Sequence, residues 1–336
     1  MQRVLIIQTA FIGDVVLATA LVEKLARFYP DAEIDFLVRK GNESLLQNNP
    51  HLHEVLVWNK KENKLKNLFS ILRTIRLRRY NKVINLQRFF ATGLLTAFSA
   101  ADETIGFDKN PLSFLFTTKV KHSINRDGIK HEVERNNDLI RHFTDAGFTR
   151  PKLYPSDKDF NVVQPYSHIP YITITPGSVW FTKQYPVEKW IKLITEFPKD
   201  YQIYLLGGKE NALECSHIKE SAGNTKSEVL AGKLSFLQSA ALMKNAAMNY
   251  VNDSAPLHFA SAVNAPVTAI FCSTVPAFGY TPLSDVSYII ETTEKLNCRP
   301  CGLHGYKACP QKHFKCALTI ETDRLIQTLQ KYAIPV

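Results

Sequence analysis

Asp14 stands directly after Gly13 at the end of a short turn, Thr9–Gly13, that follows the apolar run Val4–Ile7. A carboxylate there has two uses. It can cap the free N–H groups of a starting helix, or it can take a proton from a substrate hydroxyl as a general base. Thr175–Ser178 follows another apolar run, with Lys183 and Lys189 close behind. Small residues such as Gly177 and Ser178 let backbone approach a phosphate, and a lysine supplies a point charge; a plain turn is the bland alternative. A third polar stretch, Asn252–His258, places Asp253 or Ser254 at a helix start and Pro256 in its first turn. The free N–H groups of that end attract a diphosphate. His258 lies one turn further on, where a structural hydrogen bond competes with a catalytic role. At Leu206–Glu210, Gly207 and Gly208 permit close approach, and Glu210 is placed to hold ribose hydroxyls or only to start a helix.

The cysteines form a separate constellation. Cys298, Cys301, Cys309 and Cys316 fall within 19 residues, with His304 and His313 between them. Four thiols can hold a tetrahedral zinc, but the second half is not a C-x-x-C pair. Packed free thiols, a structural zinc and disulfides are all open readings. Cys215 and Cys272 read as ordinary buried residues.

Charge is concentrated. Lys and Arg number 41 against 31 Asp and Glu, a net +10. The segment 59–82 alone holds nine basic residues and one acid, Glu62. Such a face suits a polyanion: membrane phosphates, an acidic glycan or nucleic acid. Arg76, Arg78 and Arg79 are its candidate contact residues. No known nucleic-acid module or interleaved aromatic pattern accompanies them. The apolar N-terminal stretch is interrupted by Gln8, Thr9, Asp14 and Thr19 and has only Gln2-Arg3 before it, so a secretion signal or membrane helix is disfavoured. The expectation is a soluble cytoplasmic chain that touches a membrane surface.

These residues need strand ends to hold them. Strands are expected at Val4–Ile7, Glu33–Val38, Glu54–Trp58 and Lys82–Leu86, with helices at Asp14–Phe28, Lys64–Arg79 and His131–Ala146. The stretch 149–170 carries four prolines and reads as a linker. Alternation then restarts: strands at Tyr171–Thr175, Gln202–Leu206, Met248–Val251 and Val267–Phe271, and helices at Pro186–Phe197, Asn211–Ser221, Phe236–Asn245, Pro256–Val263 and Thr319–Tyr332. The expected fold is α/β, with two parallel-sheet domains facing across a cleft: residues 1–150, a linker at 151–170, a second domain at 171–318 and a C-terminal helix at 319–336. Ligands in such sheets sit outside the carboxyl ends of the strands. The missing G-x-G-x-x-G disfavours a nicotinamide dehydrogenase.

The set Gly13–Val16, His131–Asn136, Pro176–Ser178 with Lys183, Gly207-Gly208 and Asn252–Ser254 with Pro256 and His258 resembles glycosyltransferase family 9, which contains the lipopolysaccharide heptosyltransferases. The order and spacing match over nearly the whole chain, and the cysteine-rich tail resembles heptosyltransferase II-like members. The resemblance implies a GT-B architecture of two Rossmann-like domains, with residues 1–150 on the acceptor side and 171–318 binding the nucleotide sugar. It implies inverting, metal-independent transfer of heptose from ADP-heptose to an anionic lipid A-core acceptor at the cytoplasmic face of the inner membrane. It implies Asp14 as the base, Lys183 near the donor phosphates, and Asp253, Ser254, Ala255 and His258 on the donor loop, where Ala255 replaces the usual glycine. No acceptor residue carries over, and neither a catalytic cofactor nor a DxD-type metal site is implied. Two rivals stay open: a GT-B transferase using another nucleotide sugar in surface glycan synthesis, and a basic polyanion-binding protein that is no enzyme.

Overall fold

The computed structural model describes residues 2–124 and 130–333. The chain divides into two compact units, the boundary falling between Tyr154 and Pro155. The first contains strands β1 (Arg3–Ile7), β2 (Glu33–Arg39), β3 (Glu54–Trp58), β4 (Lys82–Asn85), β5 (Glu103–Phe107) and β6 (Thr118–Val120). They form one parallel sheet in the order β3-β2-β1-β4-β5-β6. Its helices are α1 (Ile12–Phe28), α2 (Lys64–Arg78), α3 (Phe90–Ala97) and α4 (Glu132–Asp138). Parallel strands need crossover connections, and those connections bury both sheet faces. Hence β1 is apolar from Val4 to Ile7 rather than alternating.

The second unit begins with α5 (Asp157–Val163) and then repeats the plan: β7 (Tyr171–Thr175), α6 (Val187–Glu196), β8 (Gln202–Leu205), α7 (Ala212–Ala222), β9 (Ser227–Val229), α8 (Phe236–Lys244), β10 (Met248–Asn252), α9 (Ala255–Ala262), β11 (Val267–Phe271), β12 (Ser287–Glu291), α10 (Lys315–Leu318) and α11 (Asp323–Ala333). Its sheet runs β12-β11-β10-β7-β8-β9. Numbered within each unit, both sheets have the doubly wound order 3-2-1-4-5-6. The direction of winding therefore reverses between β1 and β4, and between β7 and β10, and ligands of such sheets bind at that reversal. Trp190, Tyr185 and Tyr250 are fully buried in the core of the second unit.

Several expectations are corrected. The helix expected at 131–146 ends at Asp138 and gives way to tight turns through residue 144. The proline-rich stretch expected to be a bare linker contains α5, fixed by a capping box in which Ser156 and Asp159 exchange side-chain and backbone bonds. The terminal helix begins at Asp323, and residues 334–336 of the expected range lie outside the described residues. Among the described residues no helix is long and apolar enough to cross a membrane.

Candidate functional site

At the reversal of the first unit, β1 leads into a loop that is pinned on three sides. Gln8 Oε1 accepts from the Ala10 amide at 3.2 Å, and Asn42 Nδ2 donates to the Ala10 carbonyl at 3.1 Å. Thr9 Oγ1 donates to Gln87 Oε1 at 2.6 Å, beyond the end of β4. Helix α1 then starts with Phe11 as its N-cap, which makes Asp14 the third helical residue. Asp14 is therefore not the capping residue, and its half-buried carboxylate sits in the first turn, where the helix dipole favours the anion.

Lys60, just past β3, reaches the same loop. Its Nζ donates to Thr9 Oγ1 at 2.6 Å and to the Thr9 carbonyl at 3.2 Å, and lies 4.5 Å from the Trp58 ring centroid. Burial, with Arg39 nearby, lowers its pKa to about 8. Arg39, at the end of β2, lies over the Phe11 ring. The strand ends around the β1 loop thus carry two cations, Lys60 and Arg39, that the sequence presents only as part of its general basic excess. Strand order joins them: β2 lies beside β1 in the sheet, and β3 beside β2.

The second unit holds a tighter arrangement. Asn252, the buried last residue of β10, accepts from the Tyr185 amide at 3.0 Å and donates to the Pro176 carbonyl at 2.5 Å. It thereby clamps the 176–185 segment across the reversal. Lys183 Nζ lies 2.8 Å from Asp253 Oδ2, and Thr274 Oγ1 donates to that oxygen at 2.6 Å. Only 15% of the lysine side chain and 8% of the aspartate side chain are exposed. Asp253 consequently fixes Lys183 rather than capping α9. Ser254 is the N-cap of α9, and its side chain makes no capping bond. Ala255 and Pro256 form the first helical positions, and His258 is buried further along.

The glycines have a steric reason. A Cβ on Gly177 would stand 2.5 Å from Asn211 Nδ2, and one on Gly207 would stand 2.8 Å from Asn211 Cβ. Asn211 Oδ1 also accepts from the Gly208 amide at 3.1 Å. One side chain therefore lies over both turns. Ser178 offers its carbonyl to Gln184 Nε2 at 2.7 Å, while Glu210 is exposed, its carboxylate beside Gly208. Lys189 donates to the Ile320 carbonyl at 2.8 Å and is tied to the core rather than to this edge. Gly305, at φ +78°, passes Thr182 and Lys183 so closely that a Cβ would meet Thr182 Oγ1 at 2.8 Å. Thr182 and Tyr306 bond reciprocally through backbone and hydroxyl, so the cysteine-bearing loop leans on the lysine segment.

Two further groups of candidate residues have specific surroundings. Arg78 is not a free surface cation. Its guanidinium pairs with Asp35 Oδ2 at 2.6 Å and with Glu54, and Asp35 also binds His53 Nδ1 at 2.9 Å and the Tyr80 hydroxyl. These carboxylate partners hold Arg78 well above its ordinary pKa despite partial burial. Arg76 and Arg79 are exposed. The four tail cysteines lie near one another, with Cys298, Cys301 and Cys309 all acting electrostatically on Cys316, and three of them have further partners. Cys298 Sγ faces His313 Nε2 at 3.8 Å, the Cys301 thiol donates to the Cys298 carbonyl at 3.5 Å, and Cys309 Sγ accepts from the Phe314 amide at 3.4 Å. Cys316 is buried, which pushes its thiol up to about 12. Among the described residues no three His, Cys, Asp or Glu side chains gather as a metal site. Cys215 and Cys272 are buried, and burial raises both thiols.

The profile of glycosyltransferase family 9 (heptosyltransferase) matches residues 68–306, well over half of the chain. Lipopolysaccharide heptosyltransferase 3 of Escherichia coli strain K12 is 27% identical over 290 residues, spanning 79% of this chain and 81% of that protein. Lipopolysaccharide heptosyltransferase 1 of Campylobacter coli is 24% identical over 348 residues, 98% of each. The solved structure of the E. coli ADP-heptose lps heptosyltransferase II superposes with a TM-score of 0.80 at 20% identity, over 99% of this chain and 98% of that one. That likeness is one of fold: two doubly wound units in one chain, the GT-B architecture. With the family profile matching well over half of its residues, the chain belongs to glycosyltransferase family 9, the heptosyltransferases.

Proposed function

We propose that this enzyme transfers heptose from ADP-heptose to an anionic, lipid-linked acceptor of the lipopolysaccharide inner core, with inversion at the anomeric carbon and without a catalytic metal. The observation that carries the reading is the receptor formed by Lys183, held by Asp253 and Thr274, beside the start of α9. A cation and a helix N-terminus side by side at a strand-order reversal suit a diphosphate. Relatives named for heptose transfer and for an ADP-heptose donor support the choice of sugar nucleotide.

In an inverting transfer the acceptor hydroxyl attacks the anomeric carbon from the side opposite the departing diphosphate. Asp14 accepts the hydroxyl proton as the new glycosidic bond forms. The bond from the anomeric carbon to the diphosphate oxygen breaks, and its electron pair leaves with ADP. Negative charge grows on that oxygen, and Lys183 with the amides at the start of α9 stabilises it. Gly177, Ser178 and Glu210 offer backbone and carboxylate contacts to the nucleotide, Ser254 offers a hydroxyl that is not spent on capping, and Ala255 and His258 shape the donor loop. Lys60 and Arg39 suit the anionic groups of the acceptor. Because the acceptor is lipid-linked, the enzyme works at the cytoplasmic surface of the inner membrane, where Arg76 and Arg79 meet lipid phosphates.

Incubation with ADP-heptose, UDP-sugars and GDP-sugars in turn, using an inner-core acceptor and mass spectrometry of the product, tests the proposal. Heptosylation from ADP-heptose alone, with the anomeric configuration inverted by NMR, is expected. Preferred turnover of another sugar nucleotide overturns the donor assignment.

A further inference from the structure

Helix α2 carries more apolar surface than its sheet can cover. Leu68 and Ile75 are buried against the sheet, and Ile71 and Leu72 pack beside them. Leu65, Phe69 and Leu77 lie on another flank and are 71%, 59% and 72% exposed. At 100° per residue, Leu65 and Phe69 share a stripe with Arg73 and Arg76, four and three residues on, and Leu77 borders it. A groove of about 510 Å³ opens there, lined by Phe69, Leu72, Arg73, Arg76, Leu77 and Arg79. Leucine and phenylalanine walls alternate with three guanidinium groups.

The helix ends so as to sharpen this division. Arg79, the C-cap, takes the left-handed conformation at φ 49°, and its amide bonds to the Arg76 carbonyl at 3.3 Å. Arg78 is drawn inward to Asp35 and Glu54, and Arg79 lines the groove. No acid occurs anywhere in α2, whose sequence is Lys64–Arg78.

We infer that this flank of α2 is an interfacial anchor for a bilayer of anionic phospholipid: Phe69, Leu77 and Leu65 enter the acyl boundary, while Arg73, Arg76 and Arg79 hold lipid phosphates around the groove. The inference rests on the reading of a lipid-linked acceptor and deepens it by naming the binding mode. Purely electrostatic adsorption would require no exposed leucine or phenylalanine among the arginines. A basic helix with a separate apolar flank lies in the interface plane instead, drawing on both buried apolar area and charge attraction.

The test is co-flotation of the full chain with vesicles of phosphatidylglycerol and phosphatidylethanolamine, and with phosphatidylcholine vesicles, at low and high salt. Activity on a de-acylated, soluble acceptor is measured in parallel. The expected result is binding to the anionic vesicles at least tenfold above phosphatidylcholine, with part of it surviving high salt. The double substitution Phe69→Ser and Leu77→Ser is expected to remove the salt-resistant part and lower binding about tenfold, with unchanged activity on the soluble acceptor. Arg73→Glu with Arg76→Glu is expected to abolish the preference for anionic lipid. Wild-type-like vesicle binding in both double variants overturns the inference. So does a concentration-dependent dimer in sedimentation velocity that Phe69→Ser and Leu77→Ser dissolve, since the flank would then serve a second copy. Vesicle binding as expected, with no turnover of the soluble acceptor, contradicts the proposed reaction and leaves the anchor standing.

Discussion

Lys183 Nζ lies 2.8 Å from Asp253 Oδ2, and the two residues come from opposite sides of the strand-order reversal in the second unit. The pair gives the lysine a fixed place without dissipating it in the solvent. In the proposed reaction it also divides the labour: Asp253 positions Lys183, and Lys183 meets the leaving group. Lys183→Ala should lower kcat/KM for the nucleotide sugar by about 100- to 1,000-fold, the usual cost of losing one donor to a developing oxyanion. Asp253→Ala should act on stability as well, because Lys183 is mostly buried and loses its counter-charge. A cost of up to about 3 kcal/mol is expected, read as a lowered Tm in a thermal scan. Unchanged kcat/KM in the lysine variant removes it from the donor site.

Lys60 supplies a pH signature. Its pKa is near 8 rather than 10.5, lowered first by burial and then by Arg39. An anionic acceptor binds best to the protonated form, so the acceptor KM should rise as pH passes upward through about 8. Lys60→Gln should raise KM at pH 7 and erase that limb. Stability follows with opposite sign. Between pH 8 and 10.5 the unfolded chain binds more protons at this site than the folded chain, so folding gains stability across that window as pH rises. The Tm advantage of Lys60→Gln over wild type should therefore be larger at pH 7 than at pH 10. A KM profile identical in the two proteins contradicts the acceptor role.

Neighbouring arginines on α2 should separate cleanly. Arg78→Ala leaves the buried Asp35 with His53 and Tyr80 but no arginine, and releases Glu54. Allowing for the partial exposure of the arginine, a loss of about 2 kcal/mol is expected. Arg76→Ala, on the exposed side, should stay within about 0.5 kcal/mol of wild type. Urea unfolding of the two variants checks this; equal midpoints would contradict the division of the helix.

Much of this was legible in the residues. β3, β7 and β11 lie at the expected positions; β7 and β11 are compact runs buried at every residue, while the edge strand β3 leaves Glu54 and Val57 exposed. The edge strands β6 and β9 went unread, since three residues such as Thr118–Val120 and Ser227–Val229 carry no measurable period. α3 and β5 were missed for a related reason: eight residues without a polar face, and a strand containing Gly106. At the site, Asp14, Lys183 and the 252–258 loop announced themselves by following strands. Lys60 and Arg39 did not, because only the strand order brings them to the Thr9 loop. Arg78 looked the same as Arg76 and Arg79; its inward turn depends on Asp35 and Glu54, which no local pattern connects to it.

In the proposed reaction Asp14 takes the proton of the attacking hydroxyl. The most direct test is Asp14→Asn, with kcat measured against ADP-heptose and donor binding measured by calorimetry in the same preparation. The amide keeps the shape of the side chain and removes its basicity. A fall in kcat of about 100- to 10,000-fold with the donor Kd unchanged is the expected result. A kcat equal to that of the wild type would contradict the account.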